Sequence, residues 1–227
     1  MKISILGTGM VGQTIAAKLD SIGHDVQIGT RDPASTMARE AADGFGNPPF
    51  QVWAAAHPKV RLATFAGAAA HGEIVIVALS GASALAGLEL AGEANLAKKI
   101  LIDISNPLDF SRGMPPSLFV SNLDSLGEQI QRRFPAARVV KTLNTVSAHL
   151  MVDPRALANG DHTMFVSGND ADARRQVAGW LTEWFGWRDV IELGDITTAR
   201  GTEMLLPLWL RTWGAVNTPT FSFRVVR

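Results

Sequence analysis

Residues Lys2-Ile3-Ser4-Ile5-Leu6 run straight into Gly7-Thr8-Gly9-Met10-Val11-Gly12, and an amphipathic stretch follows as far as Gly23. A G-x-G-x-x-G pattern on its own is common by chance. Behind a short apolar strand and at the head of a helix, it reads as the phosphate-binding turn of a dinucleotide fold. The first glycine allows the tight turn, the second lets the backbone approach a pyrophosphate, and the third lets helix and strand pack closely. The amino end of the helix offers free N–H groups to the anion. The plainer alternative is a structural strand–turn–helix with incidental glycines.

The next strand bears on which dinucleotide. Val11, Ile15, Ala16, Leu19 and Ile22 form one apolar stripe of near-helical period, and Gly23 reads as its carboxyl cap. Strand two, Asp25-Val26-Gln27-Ile28-Gly29, ends in Thr30-Arg31-Asp32-Pro33. An NAD site places Asp or Glu at this strand end, about 20 residues past the glycines, to bind the ribose 2′-hydroxyl. Here a neutral hydroxyl and a guanidinium stand there instead. A carboxylate would repel a 2′-phosphate, whereas Thr30 and Arg31 would bind it with charge-assisted hydrogen bonds. The expectation is therefore NADP rather than NAD. Asp32 argues the other way unless it pairs with Arg31 and points aside, and a solvated surface role for Arg31 is the structural alternative.

Composition permits this and excludes several classes. The chain has 227 residues and a mass of 24.3 kDa, enough for one large α/β domain with an appendage. Lys plus Arg equals Asp plus Glu at 21 each, so the formal net charge is +0 and no overall basic field recommends a nucleic-acid partner. The chain has no cysteine, which removes disulfides, thiolate metal sites and cysteine nucleophiles together. Met1 leads directly into strand one, and no apolar run of about 18 residues or more is present, so the expectation is a cytoplasmic protein without a membrane span.

Along the chain, strands alternate with helices. Helical stretches are expected over 34–42, 51–57, 82–98, 123–134, 171–185 and 197–213, with a Gly/Pro-punctuated break at 43–49. Strands are expected over 60–65, 74–79, 100–104, 138–143, 164–168 and 190–193. Repeated β–α alternation implies an α/β, Rossmann-type doubly wound and mostly parallel sheet with a C-terminal helical extension. Residues 1–194 form the expected NADP-binding domain, and 195–227 the helix and tail that complete a substrate pocket or a dimer contact. Alternation of Phe221, Phe223 and Val225 suggests a terminal strand with one buried face. An isologous homodimer is one way to bury that surface, and packing on its own domain is the other.

Ligands in such sheets lie outside the carboxyl ends of the strands. Those ends offer Gly7 to Gly12, Thr30 and Arg31, Leu79 and Ser80, Ser105 and Asn106, and Asn144 to Ala148. Asn106-Pro107 either turns the chain or touches the cofactor, and Asn144 is an amide at a buried strand end that needs a partner. None of the five histidines stands at metal spacing to another, so no metal site is expected. His149, beside the expected nicotinamide site, is the one histidine retained as a catalytic candidate against a purely structural role. Lys141, just before that site, has a surface, phosphate-binding or chemical role open to it. Tyr is absent, so a Tyr–Lys reductase pair is excluded. The tryptophans of the last quarter, Trp180, Trp184, Trp187, Trp209 and Trp213, fit core or interface positions.

These residues together carry a resemblance. GTGMVG near the start, GTRDP at the end of strand two, Ser105-Asn106-Pro107, Lys141-Thr142-Leu143-Asn144-Thr145-Val146 and Thr198-Ala199-Arg200-Gly201-Thr202-Glu203-Met204-Leu205 recur in one family. Over nearly its whole length the chain resembles the NADPH-dependent coenzyme F420 reductases. Their dinucleotide module is similar to that of pyrroline-5-carboxylate reductases and Steap ferric reductases. The resemblance implies that Thr30 and Arg31 hold the 2′-phosphate, that Thr8, Gly9, Met10 and Val11 line the pyrophosphate, and that Leu79, Ser80 and Ala148 flank the nicotinamide. Where some members carry a basic residue shortly after the arginine, this chain has Ala34, Ser35 and Thr36, and the Ser35 hydroxyl is the available substitute.

The expected function is an NADP(H)-dependent oxidoreductase passing a hydride between NADPH and coenzyme F420 or a related flavin-like ring, as a small-molecule substrate. Ring-to-ring transfer asks mainly for proximity and orientation, which suits a site poor in acid–base groups. The alternatives are reduction of a small imine or metal chelate, and a dinucleotide-binding sensor without turnover.

Overall fold

The computed structural model describes residues 1–42 and 46–227, so the break expected over 43–49 lies partly outside it. In chain order the strands are β1 Lys2–Leu6, β2 Asp25–Thr30, β3 Arg61–Thr64, β4 Ile74–Val77, β5 Ile100–Asp103, β6 Leu108–Asp109, β7 Ser117–Leu118, β8 Arg138–Lys141, β9 Thr163–Ser167 and β10 Asp189–Gly194. The helices are α1 Met10–Ser21, α2 Pro33–Met37, α3 Phe50–Ala56, α4 Phe65–His71, α5 Gly81–Ala91, α6 Glu93–Leu96, α7 Leu126–Arg133, α8 Ala148–Val152, α9 Ala171–Trp180 and α10 Ala199–Val216.

Eight strands form one sheet in the order β10-β9-β8-β5-β4-β1-β2-β3. From β8 to β3 every neighbouring pair is parallel. β9 meets β8 antiparallel, and β10 runs parallel to β9, so the last two strands point opposite to the other six. The strands are nearly continuous apolar runs because helices cover both faces. Alternation sorts them: Ile74 and Ile76 join Ile3, Ile5, Ile15 and Ile28 in one core, while Val75 and Val77 join Leu6, Leu88, Leu101 and Ile130 in the other. The strand order reverses between β1 and β4, which opens a crevice at their carboxyl ends.

Several local expectations change. The helix expected over 34–42 ends at Met37. The one expected over 82–98 divides at Gly92, whose φ of +88° interrupts the hydrogen-bonded spiral. The start expected at 123 moves to Leu126, because Ser125 caps α7 by accepting from Glu128 N while its hydroxyl donates to the Glu128 carboxylate. A small antiparallel hairpin, β6 and β7, and the short helix α8 occupy stretches not expected to be regular. Residues 221–225 form no strand; Phe223 O accepts from Thr163 N, and Phe221 stacks on Trp209, so the tail packs on its own chain. Trp184 and Trp187 are core residues, and Trp187 Nε1 donates to Met151 O.

Candidate functional site

The crevice is built on the turn after β1. Gly7 has a φ of +124°, and a methyl group there would stand 2.3 Å from Ala78 O, so only glycine lets β1 turn this close to the end of β4. Its N–H donates to Gly29 O, tying the turn to β2. At Gly12 a methyl group would stand 2.2 Å from Gly7 O, so the third glycine lets α1 press against the turn. Gly9 differs, since a methyl group there would meet nothing within 4 Å. The Gln13 side chain pins the loop by donating to Thr8 O at 2.8 Å.

Gly9 is the residue before α1 and supplies no side-chain cap, so the first-turn N–H groups are left to an outside acceptor. Open space at Gly9 together with an uncapped, positively polarised helix end fits a pyrophosphate. Ser80 stands in the same relation to α5 and also makes no capping bond. A cleft of about 440 Å³ joins these parts; Gly7, Thr8, Gly9, Thr30, Arg31, Leu79 and Ser80 all line it, as do Arg39, Phe65, Ala78, Ser83 and Gly87.

The β2 end is wired internally. Asp32 caps α2, accepting from Ser35 N at 3.0 Å and from Ser35 Oγ at 2.7 Å, and these bonds hold its carboxyl below the usual range. Asp32 therefore points to α2 and not to Arg31. Thr36 Oγ1 donates to Asp32 O at 2.8 Å, and Thr30 Oγ1 lies 2.8 Å from Thr36 Oγ1.

The remaining expected residues lie outside the cleft lining. Met10 is exposed at the turn, Val11 packs on the core beneath it, and Gly12 is buried inside α1. Asn106 and Asn144 bind each other: Asn106 Nδ2 donates to Asn144 O, Asn144 Nδ2 donates to Asn106 Oδ1, and Asn144 also donates to Thr202 O on α10. Asn144 thus has the partner its burial requires. Ala148 is buried at the start of α8. His149 is exposed, with Nε2 3.3 Å from Thr220 Oγ1, and neighbouring Ser147 donates to Pro219 O. Lys141 is no surface residue: its ammonium is buried between Asp103 and Glu203. Among the described residues no group of His, Asp and Glu could hold a metal. No helix is long and apolar enough to cross a membrane among them.

Sequence reasoning missed Arg39, Phe65 and Ser83. Ser83 lies one turn past Ser80 on α5, a spacing that points it at the same cleft. Arg39, expected inside a helix over 34–42, instead follows the end of α2 at Met37.

Comparison with known proteins gives these features a family. Residues 2–107 match the family described as NADP oxidoreductase, coenzyme F420-dependent. A solved structure from Arthrobacter sp. FB24, described as a candidate F420-dependent NADP-reductase, is 58% identical, with 100% of each chain covered and a TM-score of 0.95. The F420-dependent NADP reductase of Methanothermobacter marburgensis is 28% identical over 92% of this chain and 90% of its own. Metalloreductase STEAP3 of Rattus norvegicus is 28% identical over 92% of this chain, which spans only 38% of that protein. With full-length likeness at 58% identity laid over a glycine turn, an uncapped helix and a β2 end whose one carboxylate, Asp32, is turned into α2, the chain belongs to the coenzyme F420-dependent NADP oxidoreductase family.

Proposed function

We propose that the chain catalyses hydride exchange between NADP(H) and coenzyme F420. The observation that carries this is the β2 end, where Thr30 and Arg31 face the glycine-turn cleft and the nearest carboxylate, Asp32, is turned into α2. The full-length likeness to a candidate F420-dependent NADP-reductase supports the acceptor. The nicotinamide coenzyme supplies the hydride chemistry, and the protein supplies binding and orientation. Gly9 and the first turn of α1 would hold the pyrophosphate, Arg31 the 2′-phosphate, and Leu79 with Ser80 the nicotinamide side. Holding two rings at reacting distance can itself supply roughly 7–11 kcal/mol of the barrier, so no acid–base residue is required.

The test mixes purified protein with NADP and reduced F420 and follows absorbance. Appearance of NADPH together with oxidised F420 in equal amounts supports the proposal; no change between pH 5 and 9 overturns it.

We also propose the division of labour between 1–194 and 195–227, in which the C-terminal helix completes the acceptor side. Exposed Met204, Leu208 and Trp213 on α10 support a homodimer, to be read by light scattering on eluted protein. Both coenzymes are freely diffusing small molecules, in keeping with a cytoplasmic site of action.

A further inference from the structure

The hydroxyl protons beside the β2 end are already committed. Asp32 O can only accept, so the single Thr36 proton goes to it, and the 2.8 Å contact between Thr36 and Thr30 must be filled by the Thr30 proton. Thr30 therefore shows a bound ribose only lone pairs. The Ser35 proton is likewise given to the Asp32 carboxylate, and Ser35 N to its other oxygen. A dianionic phosphate needs donors, and neither hydroxyl has one to give.

Two guanidiniums remain. Arg31 and Arg39 line the same cleft as Gly9 and Thr30, and neither has a carboxylate partner among the described residues. Most arginines elsewhere are neutralised: Arg61 by Asp25, Arg132 by Asp124, Arg174 by Glu192, Arg200 by Glu128 and Arg227 by Asp189. Arg39 also lines a second recess of about 190 Å³ with Thr8, Gly9 and Gln13, which places it over the mouth of the glycine turn.

We infer that Arg39 is the second cation of the 2′-phosphate site, acting with Arg31 on the phosphate and setting the preference for NADP(H) over NAD(H). This rests on the coenzyme reading above and deepens it. It gives the basic role to a residue in the irregular segment after α2, while Thr30 and Ser35 hold the β2–α2 turn in shape. A planar guanidinium offers paired N–H donors to phosphate oxygens, which an ammonium cannot match.

The test compares the full chain with Arg39→Ala and Arg39→Lys, after checking that all melt alike. Titrations use NADPH, NADH, 2′,5′-ADP and 5′-AMP, read by calorimetry. Arg39→Ala should weaken NADPH and 2′,5′-ADP about ten- to a hundredfold while moving NADH and 5′-AMP less than about twofold, with Arg39→Lys between. If the wild type prefers 2′,5′-ADP and Arg39→Ala prefers it equally, the Arg39 assignment falls and the coenzyme reading stands. Equal losses for NADPH and NADH also overturn it, because they would put Arg39 on the adenine or pyrophosphate. A wild type that does not distinguish 2′,5′-ADP from 5′-AMP overturns both.

Discussion

Lys141 and Glu203 meet at 2.8 Å with both side chains withdrawn from solvent, joining β8 to the C-terminal helix α10. The same ammonium contacts Asp103 at 2.8 Å and donates to Ser105 O. Glu203 also accepts from Leu126 N and Gly127 N at the start of α7, and Asp103 accepts from Ser105 N and Oγ. All three ammonium protons and the backbone donors around the carboxylates are thus used. The neighbouring carboxylates hold Lys141 charged, raising its pKa against the opposing effect of burial. Breaking a buried pair by removing one partner costs about 3–5 kcal/mol. Lys141→Met, which strands two buried carboxylates, should cost that much in urea denaturation, and Glu203→Gln should cost less because an acceptor oxygen remains. A Lys141→Met protein within about 1 kcal/mol of wild type would show that the trio does not bear on stability.

The three glycines of the turn should separate fold from binding. Gly12→Ala places a methyl group 2.2 Å from Gly7 O and should lower stability by roughly 1–3 kcal/mol. Gly9→Ala has open space and a φ of −74°, so its melting temperature should stay within about 2 °C of wild type. The added methyl group would nonetheless stand where the pyrophosphate approaches, and NADPH affinity should fall at least about tenfold. Unaltered NADPH binding in Gly9→Ala would remove the pyrophosphate from this turn.

Arg31 should show its role through selectivity. Arg31→Ala removes a charge-assisted donor, and NADPH should bind about ten- to a hundredfold more weakly with NADH little changed. Calorimetry with both coenzymes separates this from a general loss, and an equal decline in both affinities would place Arg31 away from the 2′-phosphate.

What could be read from sequence is what is local. Strand, glycine turn and helix lie within the first two dozen residues, so one apolar period and three glycines specify them without distant partners. Reversal of β9 and β10 is another matter, because an apolar strand reads the same in either direction and its orientation depends on the connection that precedes it. Lys141 had three roles open to it from sequence; only the packing brings Asp103 and Glu203 to it from β5 and α10. Asn144 asked for a partner, and nothing local indicated that the partner was Asn106, whose own reading was a turn or a cofactor contact. Arg39 left no signal, since the sequence placed it in a helix over 34–42, whereas α2 ends at Met37 and leaves Arg39 lining the cleft.

Acid should weaken the junction around α7. Arg132 hydrogen-bonds Asp124 from one helical face and holds its pKa down, from 3.8 to about 2. Arg200 on α10 does the same to Glu128, lowering it from 4.5. A carboxylate held below its unfolded pKa adds stability that is complete above the unfolded value and is lost as pH falls through the folded one. The window for Asp124 therefore runs from about pH 4 down to about pH 2. Because Arg132 is largely solvated, its pair with Asp124 should contribute no more than about 1 kcal/mol. Urea midpoints measured from pH 6 to pH 2 should decline over the lower half of that range. Arg200→Gln should flatten part of the decline by returning Glu128 toward its ordinary value, and an identical slope in that variant would show that the α7–α10 pair carries none of the acid sensitivity.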